Sequence, residues 1–375
     1  MNRSILDLLY YRKEHRMLGK QVLVHVDRPL GSIHPECKDI RYPINYGYIP
    51  NTISPIDSEE IDAYILDLDY PIDNYEGQVI AIIHREADED KLVVSNQRFS
   101  KEEIYNKTYF IEQYFNSHIE MLTTTKEDLL FDLKRNGIKR EDTLMIHSSL
   151  KSFGNCRGED IIAALQETVD KGLLIFPTHT WATIREDHQV FEAEHTPSCV
   201  GTLTNIALKT NGFKRSLHPT HSVCAYGVNK EAYLDLDLHS TTPVSPQGCF
   251  GALKAYDAKI LFMGAPLTKN TFIHSIEEEF QVEDRFTDHI YHFTSKGYGR
   301  TIEYYMPRHY STKNAHLSEH YHKLLPHLLK QGIAKKTYIG NSKTYIVDAK
   351  KCYLYVKKLL EKNIHLFDDY EDYED

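Results

Sequence analysis

The sequence predicts two domains, a small β-rich one followed by a layered α/β one. Three observations carry that expectation. The chain has 375 residues, more than one hydrophobic core usually serves, so two domains are the default. Residues 20 to 96 consist of short β-rich runs separated by Pro, Gly and Asn. From residue 123 onward, strand patterns alternate with helical ones, the texture of a sheet with much parallel pairing.

Within the first domain, "QVLVHVD" alternates, while "DAYILDL", "GQVIAII" and "DKLVVS" read as further strands. A helix is expected over 101–122, "KEEIYNKTYFIEQYFNSHIEML", with Ser100 as its N-cap. The polar joint "TTTKED" sets the boundary, giving domains at 1–122 and 123–366 and an acidic tail at 367–375. The second domain then alternates helix "KEDLLFDLKRNGI", strand "TLMIHSSL", helix "GEDIIAALQETV", strand "GLLIFPTHT", helix "VGTLTNIALKT" and strands "HSVCAYG" and "AKILFMGA". "KTYIVDAKKCYLYVKKLLEKN" reads as a closing strand and an amphipathic helix. His316, His320, His322 and His327 fall on different faces of a helix and read as surface residues.

Composition excludes several classes. Hydrophobic residues are 41% and charged residues 26%, ordinary for a globular chain. No run nears 18 apolar residues, so no membrane partner is expected, and "MNRSILDLLYYRKEH" lacks signal-peptide features. Six cysteines (37, 156, 199, 224, 249, 352) are scattered without close pairing, which fits a cytoplasmic protein. Six acids of the net charge of −10 lie in the tail "FDDYEDYED", expected to be frayed and solvated. The mildly acidic remainder has no basic stripe, so nucleic acid is not an expected partner. A homo-oligomer stays open.

Three stretches carry candidate chemistry. "MIHSSLKSFGNCRGEDIIAAL" puts Ser148, Ser149 and Ser152, with Gly154, between a strand end and a helix start. Such a junction suits a pyrophosphate-bearing cofactor or is an ordinary capped loop. "KRSLHPTHSVCAYG" holds His218 and His221, and with no cysteine or acid at ligand spacing a base is favoured over a metal site. On "TFIHSIEEEF", His274 and Glu277 share a helix face, with Glu278 adjacent. "FPTHTW" brings the one tryptophan, Trp181, to a strand end.

Two resemblances add to this reading. "RYPINYGYIPNTISPIDSEEIDAYIL" resembles the soluble inorganic pyrophosphatase family through Tyr42, Pro43, Asn45, Tyr46, Gly47, Tyr48 and Pro50, and the acids Asp57, Glu59 and Asp62. The likeness implies a shortened, small closed β-barrel, and metal-dependent phosphate hydrolysis is the alternative activity it brings. "HSSLKSFG", "VGTLTNIAL", "RSLHPTHSVCAYG" and "ILFMGAPLTKNTFIHSIEEE", in this order, resemble the aminoglycoside 3-N-acetyltransferase family over about residues 123–310. That likeness implies transfer of an acetyl or related acyl group from coenzyme A to an amine of an aminosugar or aminoglycoside, with no metal required. It implies His218 as general base supported by Glu277; the developing oxyanion needs donors, for which Thr220, Ser222 and nearby backbone N–H groups are the candidates. The serine-rich loop matches that family's coenzyme A site, which assigns His147, Ser148, Ser149, Ser152, Phe153, Gly154 and Thr202 to acetyl-CoA. His221, His274, Glu278 and Trp181 are candidates for the acceptor, with core packing the other reading of His221 and Trp181. The chemistry agrees, because an attacking amine must be neutral and histidine has a suitable pKa to take its proton. A non-catalytic binding protein is the remaining reading.

Overall fold

The computed structural model describes residues 17–54, 56–86, 88–312, 316–369 and 371–373. It divides into two compact units, Met1–Thr124 and Thr125–Asp375. The break lies two residues beyond the expected boundary.

Unit 1 contains β1 (Gln21–Arg28), β2 (Asn45–Tyr48), β3 (Asp62–Ile65), β4 (Asn74–Arg85), β5 (Lys91–Ser95), helix α1 (Lys101–Glu112) and β6 (Ser117–Met121). The sheet runs β1-β2-β3-β5-β4, and β1 also pairs with β4, which closes a barrel. Alternation along β5 sends Val93 into one apolar cluster, and Leu92 and Val94 into the other. Ile104 of α1 belongs to the first of these. Ser100 caps α1 in a reciprocal box with Glu103, as the sequence implied.

The helix expected to reach residue 122 stops at Glu112. "SHIEM" is instead β6, pairing Ile119 with Ile83 and Met121 with Ala81 along the free edge of β4. An unpaired strand edge offers hydrogen bonds that override a weak helical pattern. Of the three acids singled out in this unit, Asp57 and Glu59 are exposed. Asp62 accepts from the Tyr46 hydroxyl at 2.5 Å and from Lys91 Nζ at 2.6 Å. Among the described residues, no group of three His, Cys, Asp or Glu is arranged to hold a metal ion.

Unit 2 is a three-layer α/β assembly. Its elements are α2 (Lys126–Arg135), β7 (Thr143–Ser148), α3 (Gly158–Thr168), β8 (Leu173–Pro177), β9 (Val190–Glu192), α4 (Thr202–Lys209), β10 (Lys214–Arg215), β11 (Val223–Gly227), α5 (Lys230–Leu234), α6 (Cys249–Ala252) and β12 (Lys259–Met263). There follow α7 (Thr271–Glu279), β13 (Tyr291–Gly297), β14 (Arg300–Met306), α8 (Leu324–Lys330), β15 (Ala334–Ile339), β16 (Ser342–Asp348) and α9 (Ala349–Lys362). The main sheet has order β10-β11-β8-β7-β12-β16-β15. Its centre, β8-β7-β12, is parallel, and the flanking pairs are antiparallel.

Both faces of this sheet are covered, so its strands read as near-continuous apolar runs. Leu144 and Ile146 of β7 pack with Leu133 of α2 and Leu165 of α3. Met145, on the opposite face, belongs to the cluster of Phe272 of α7 and Val356 of α9. A small sheet, β14-β13-β9, stands apart from the main one. No helix among the described residues is long and apolar enough to cross a membrane.

Two sequence expectations for the C-terminal part are corrected. His320 is 1% exposed, with its ring on the Phe367 carbonyl at 2.6 Å. The described part of the tail is anchored rather than frayed, though Asp369, Glu371 and Asp372 stay exposed as expected: Phe367 is fully buried, Asp368 pairs with Arg285, Asp369 with Lys323, and Tyr373 stacks on His327. Acids that look solvated in a run have buried cations to meet here.

Candidate active site

Strands β7, β8 and β12 are parallel neighbours, and ligands of open α/β sheets gather beyond the carboxyl ends of such strands. A cleft of about 760 Å³ opens there. One wall consists of strand ends, with Ser148, Ser149, His179 and Gly264, joined by Gly201 and Thr204 at the start of α4. His274 on α7 and the connection after β14, from Arg308 to Ser311, also line the cleft.

Backbone approach explains two glycines. Gly264 has φ +68°, and a Cβ there would stand 2.0 Å from Ser152 Oγ. Gly201 has φ +69° and precedes α4 without any side-chain cap, so the first N–H groups of that helix are not met by a capping side chain. A Cβ on it would lie 3.8 Å from the Ser148 carbonyl, so the α4 N-terminus adjoins the end of β7. That pairing suits a phosphate group. Four buried polar atoms on described cleft residues have no hydrogen-bond partner in the protein: His147 Nε2, His179 Nδ1, Thr268 Oγ1 and His309 Nε2. Such atoms are expected to meet a ligand.

Four of the cleft histidines are held neutral. Burial drives His147 down to about 3. Burial, then repulsion from neighbouring imidazoles, pushes His179, His221 and His309 well below the usual range. Their rings form a chain, with centroids 4.9 Å apart for His179–His221, 5.4 Å for His221–His309 and 4.5 Å for His274–His309.

His274 differs from the others by its partners. Its Nδ1 lies 2.7 Å from the Tyr321 hydroxyl, which itself contacts Glu277 Oε2. The opposite oxygen of Glu277 accepts from Arg285 Nε at 2.7 Å, and Arg285 Nη2 donates to Asp368 at 2.8 Å. Glu277 is 1% exposed, yet its carboxyl lies below the ordinary value. Burial alone would raise it, but the His274 hydrogen bond, the Arg285 charge and Tyr321 together outweigh that effect. An ionised carboxylate only accepts, so the single Tyr321 proton goes to Glu277 and the phenolic oxygen accepts from His274 Nδ1–H. The Nε2 lone pair of His274, a cleft-lining residue, is then free to take a proton.

The structure separates the residues that sequence reasoning grouped. Thr220, His221, His274 and Trp181 line the cleft, as do His147, Ser148 and Ser149. His218 does not line it, and is 1% exposed. Its Nδ1 accepts from the backbone N–H groups of Thr220 at 3.3 Å and His221 at 3.0 Å, and Nε2 donates to the Thr242 carbonyl at 3.1 Å. With both nitrogens occupied, His218 has no lone pair to offer a substrate, and no hydrogen bond joins it to Glu277. It fixes the loop that carries Thr220 and His221, where Thr220 Oγ1 meets His221 Nδ1 at 3.0 Å. His218→Ala is therefore expected to lower unfolding stability by about 1–3 kcal/mol, read from chemical denaturation, because two buried N–H groups lose their acceptor.

Glu278 does not line the cleft but lies behind it, accepting from Thr242 Oγ1 at 2.5 Å and the Val244 N–H at 2.9 Å, with Oε1 3.5 Å from Nε2 of the cleft-lining His309. Ser152 is bonded to the Ser149 carbonyl and to the Ser342 hydroxyl, each at 2.7 Å, and supports the loop from behind. Phe153 is core, while Gly154 and Thr202 are exposed; none of these lines the cleft. Tyr321, Arg285, Arg308 and His309 were missed. Their only sequence signal is a tyrosine inside a histidine-rich segment and isolated basic residues in loops.

Comparison with known proteins agrees with this architecture. The aminoglycoside 3-N-acetyltransferase family model matches residues 145–361. The SPbeta prophage-derived aminoglycoside N(3')-acetyltransferase-like protein YokD of Bacillus subtilis (strain 168) is 26% identical over 178 residues, covering 41% of this chain and 64% of its own. Aminoglycoside N(3)-acetyltransferase VII of Streptomyces paromomycinus is 28% identical over 176 residues, covering 41% of this chain and 60% of its own. The chain thus spans less than two thirds of the length of these curated relatives. Among solved structures, AAC-IIIb in its binary complex with CoASH has a similar fold, with TM-score 0.56 at 21% identity over 64% of this chain and 97% of that one. The family model covers more than half of the sequence, and the chain belongs to the aminoglycoside 3-N-acetyltransferase family.

Proposed function

We propose that the chain transfers an acetyl group from acetyl-CoA to a primary amine of an aminosugar or aminoglycoside, with His274 as general base. The observation that carries this reading is the ordered series His274–Tyr321–Glu277–Arg285 ending at the cleft. Family membership and the CoASH complex of AAC-IIIb support the choice of donor.

The donor brings an activated thioester acyl group. The free α4 N-terminus beside Gly201, the Ser148–Ser149 turn and the unpartnered His147 Nε2 fit its phosphates and polar arm. His274 Nε2 removes the proton of the incoming amine. The resulting imidazolium is stabilised through Tyr321 by the Glu277 carboxylate, the logic of a base oriented by a buried acid. Arg285 keeps that acid ionised despite its burial. Trp181, 44% exposed at the cleft, offers an aromatic face to a sugar ring.

The testing experiment is release of free coenzyme A thiol from acetyl-CoA by the full chain, across a panel of aminosugars and aminoglycosides. Acceptor-dependent thiol release is the expected result. Absence of release with every amine, in protein shown to bind acetyl-CoA, would leave only a binding role.

A further inference from the structure

The polar character of the cleft narrows the acceptor, and this inference rests on the acyl-transfer reading above. An aminoglycoside is a polycation, so a site built for it needs carboxylates to replace the water around several ammonium groups. The described residues lining this cleft include Lys269, Arg285 and Arg308, and no Asp or Glu. The glutamates that sequence alone would offer to a cation are all engaged elsewhere. Glu277 meets Arg285 and Tyr321, Glu278 meets Thr242 and Val244 and stands behind the His309 ring at 3.5 Å, and Glu279 meets Lys254 and Tyr353.

The cations are not equally neutralised. Arg285 is paired with Glu277 and Asp368, and Lys269 with the exposed Glu319. Arg308 has no carboxylate partner among the described residues; its Nη2 donates to the Trp181 carbonyl at 3.0 Å, which leaves its other donors for a ligand. It lies on the connection after β14, which lines the same cleft. Behind Thr178 and Ser222, Arg215 is 2% exposed and bonds only neutral oxygens: Thr178 Oγ1 at 3.1 Å, Ser222 Oγ at 3.0 Å and the carbonyls of Thr196 and Thr178. A buried guanidinium without a counterion adds positive potential to the adjacent strand end.

We infer that the natural acceptor is an aminosugar with a single amine and an anionic group, phosphate or carboxylate, held by Arg308, rather than a polycationic aminoglycoside. A forked guanidinium beside an aromatic rim suits an oxyanion carried on a sugar ring. One amine suffices for the reaction, and further ammonium groups would meet hydroxyls, imidazoles and cations but no carboxylate among the described lining residues.

The test measures acceptor kcat/KM for the full chain with acetyl-CoA and four amines: glucosamine, glucosamine 6-phosphate, 2-amino-2-deoxyglucuronate and kanamycin. At least one anionic amine is expected to exceed both glucosamine and kanamycin by about ten-fold or more, and the better of the two identifies phosphate or carboxylate. Arg308→Gln is expected to narrow that ratio by about ten-fold. Kanamycin as the best acceptor overturns the inference, as does an Arg308→Gln variant in which only the KM for acetyl-CoA rises. If no amine is acetylated, the acyl-transfer reading fails by itself. Calorimetry then decides the charge preference: tighter binding of either anionic amine than of kanamycin upholds it, and the reverse order overturns it.

Discussion

Replacing His274 with alanine is expected to lower kcat by about 10²- to 10⁴-fold, the usual range for loss of a general base, while acetyl-CoA affinity stays within about two-fold. The ring is the one cleft imidazole whose Nδ1 is tied through Tyr321 to an ionised carboxylate. His179 and His221 lack such a tie, since their ring partners are the hydroxyls of Thr271 and Thr220. Tyr321→Phe is expected to give an intermediate loss in kcat and a displaced pH profile, because the phenolic bridge is lost while the direct 3.4 Å contact of His274 Nδ1 with Glu277 Oε2 remains. Stopped-flow thiol release with each variant separates the two effects. A His274→Ala enzyme turning over within about three-fold of the parent would remove His274 from the role.

Removal of Arg285 should produce the largest loss of stability. Its side chain is 2% exposed between Glu277, 1% exposed, and Asp368, 12% exposed. Taking one partner from such a set leaves a buried carboxylate uncompensated, which costs about 3–5 kcal/mol. The pH dependence has a definite sign. In the parent, Glu277 titrates below the ordinary range, so its contribution is present above the unfolded carboxyl value, about 4.3, and is lost as pH falls through the lowered folded value. In Arg285→Met, burial is no longer opposed by the guanidinium and the carboxyl titrates higher. The gap between variant and parent should therefore narrow in acid. Urea denaturation across pH 4 to 8 measures it, and a gap under about 1 kcal/mol at neutral pH would show that the pair contributes little.

Much of this was legible in the sequence where one rule acts alone. Ser100 with Glu103 marks a helix start by local hydrogen bonding, and "TLMIHS" marks a strand covered on both faces because its apolar run is unbroken. Legibility ended where partners distant in sequence decide the outcome. "SHIEM" is a strand only because β4 has a free edge. His218 and His274 are both plausible bases on paper. What distinguishes them is that backbone N–H groups reach one ring while Tyr321, 47 residues away, reaches the other. The acidic tail reads as solvent-loving until Arg285 and Lys323 are seen waiting for it.

The order of the main sheet also bears on how the protein is made. Strand β12, "KILFM", is apolar after Lys259 and has two neighbours, β7 on one side and β16 on the other. β7 leaves the ribosome first, but β16 begins at Ser342, about eighty residues after β12. During that interval a nascent chain carries an open edge of consecutive apolar residues, the kind of surface that pairs with other chains. Co-translational chaperone cover, or slowed elongation, is most valuable between the emergence of Met263 and that of Ser342. A chain cut short before β16 would be a poorly soluble product whose cleft residues are all encoded and yet unsupported.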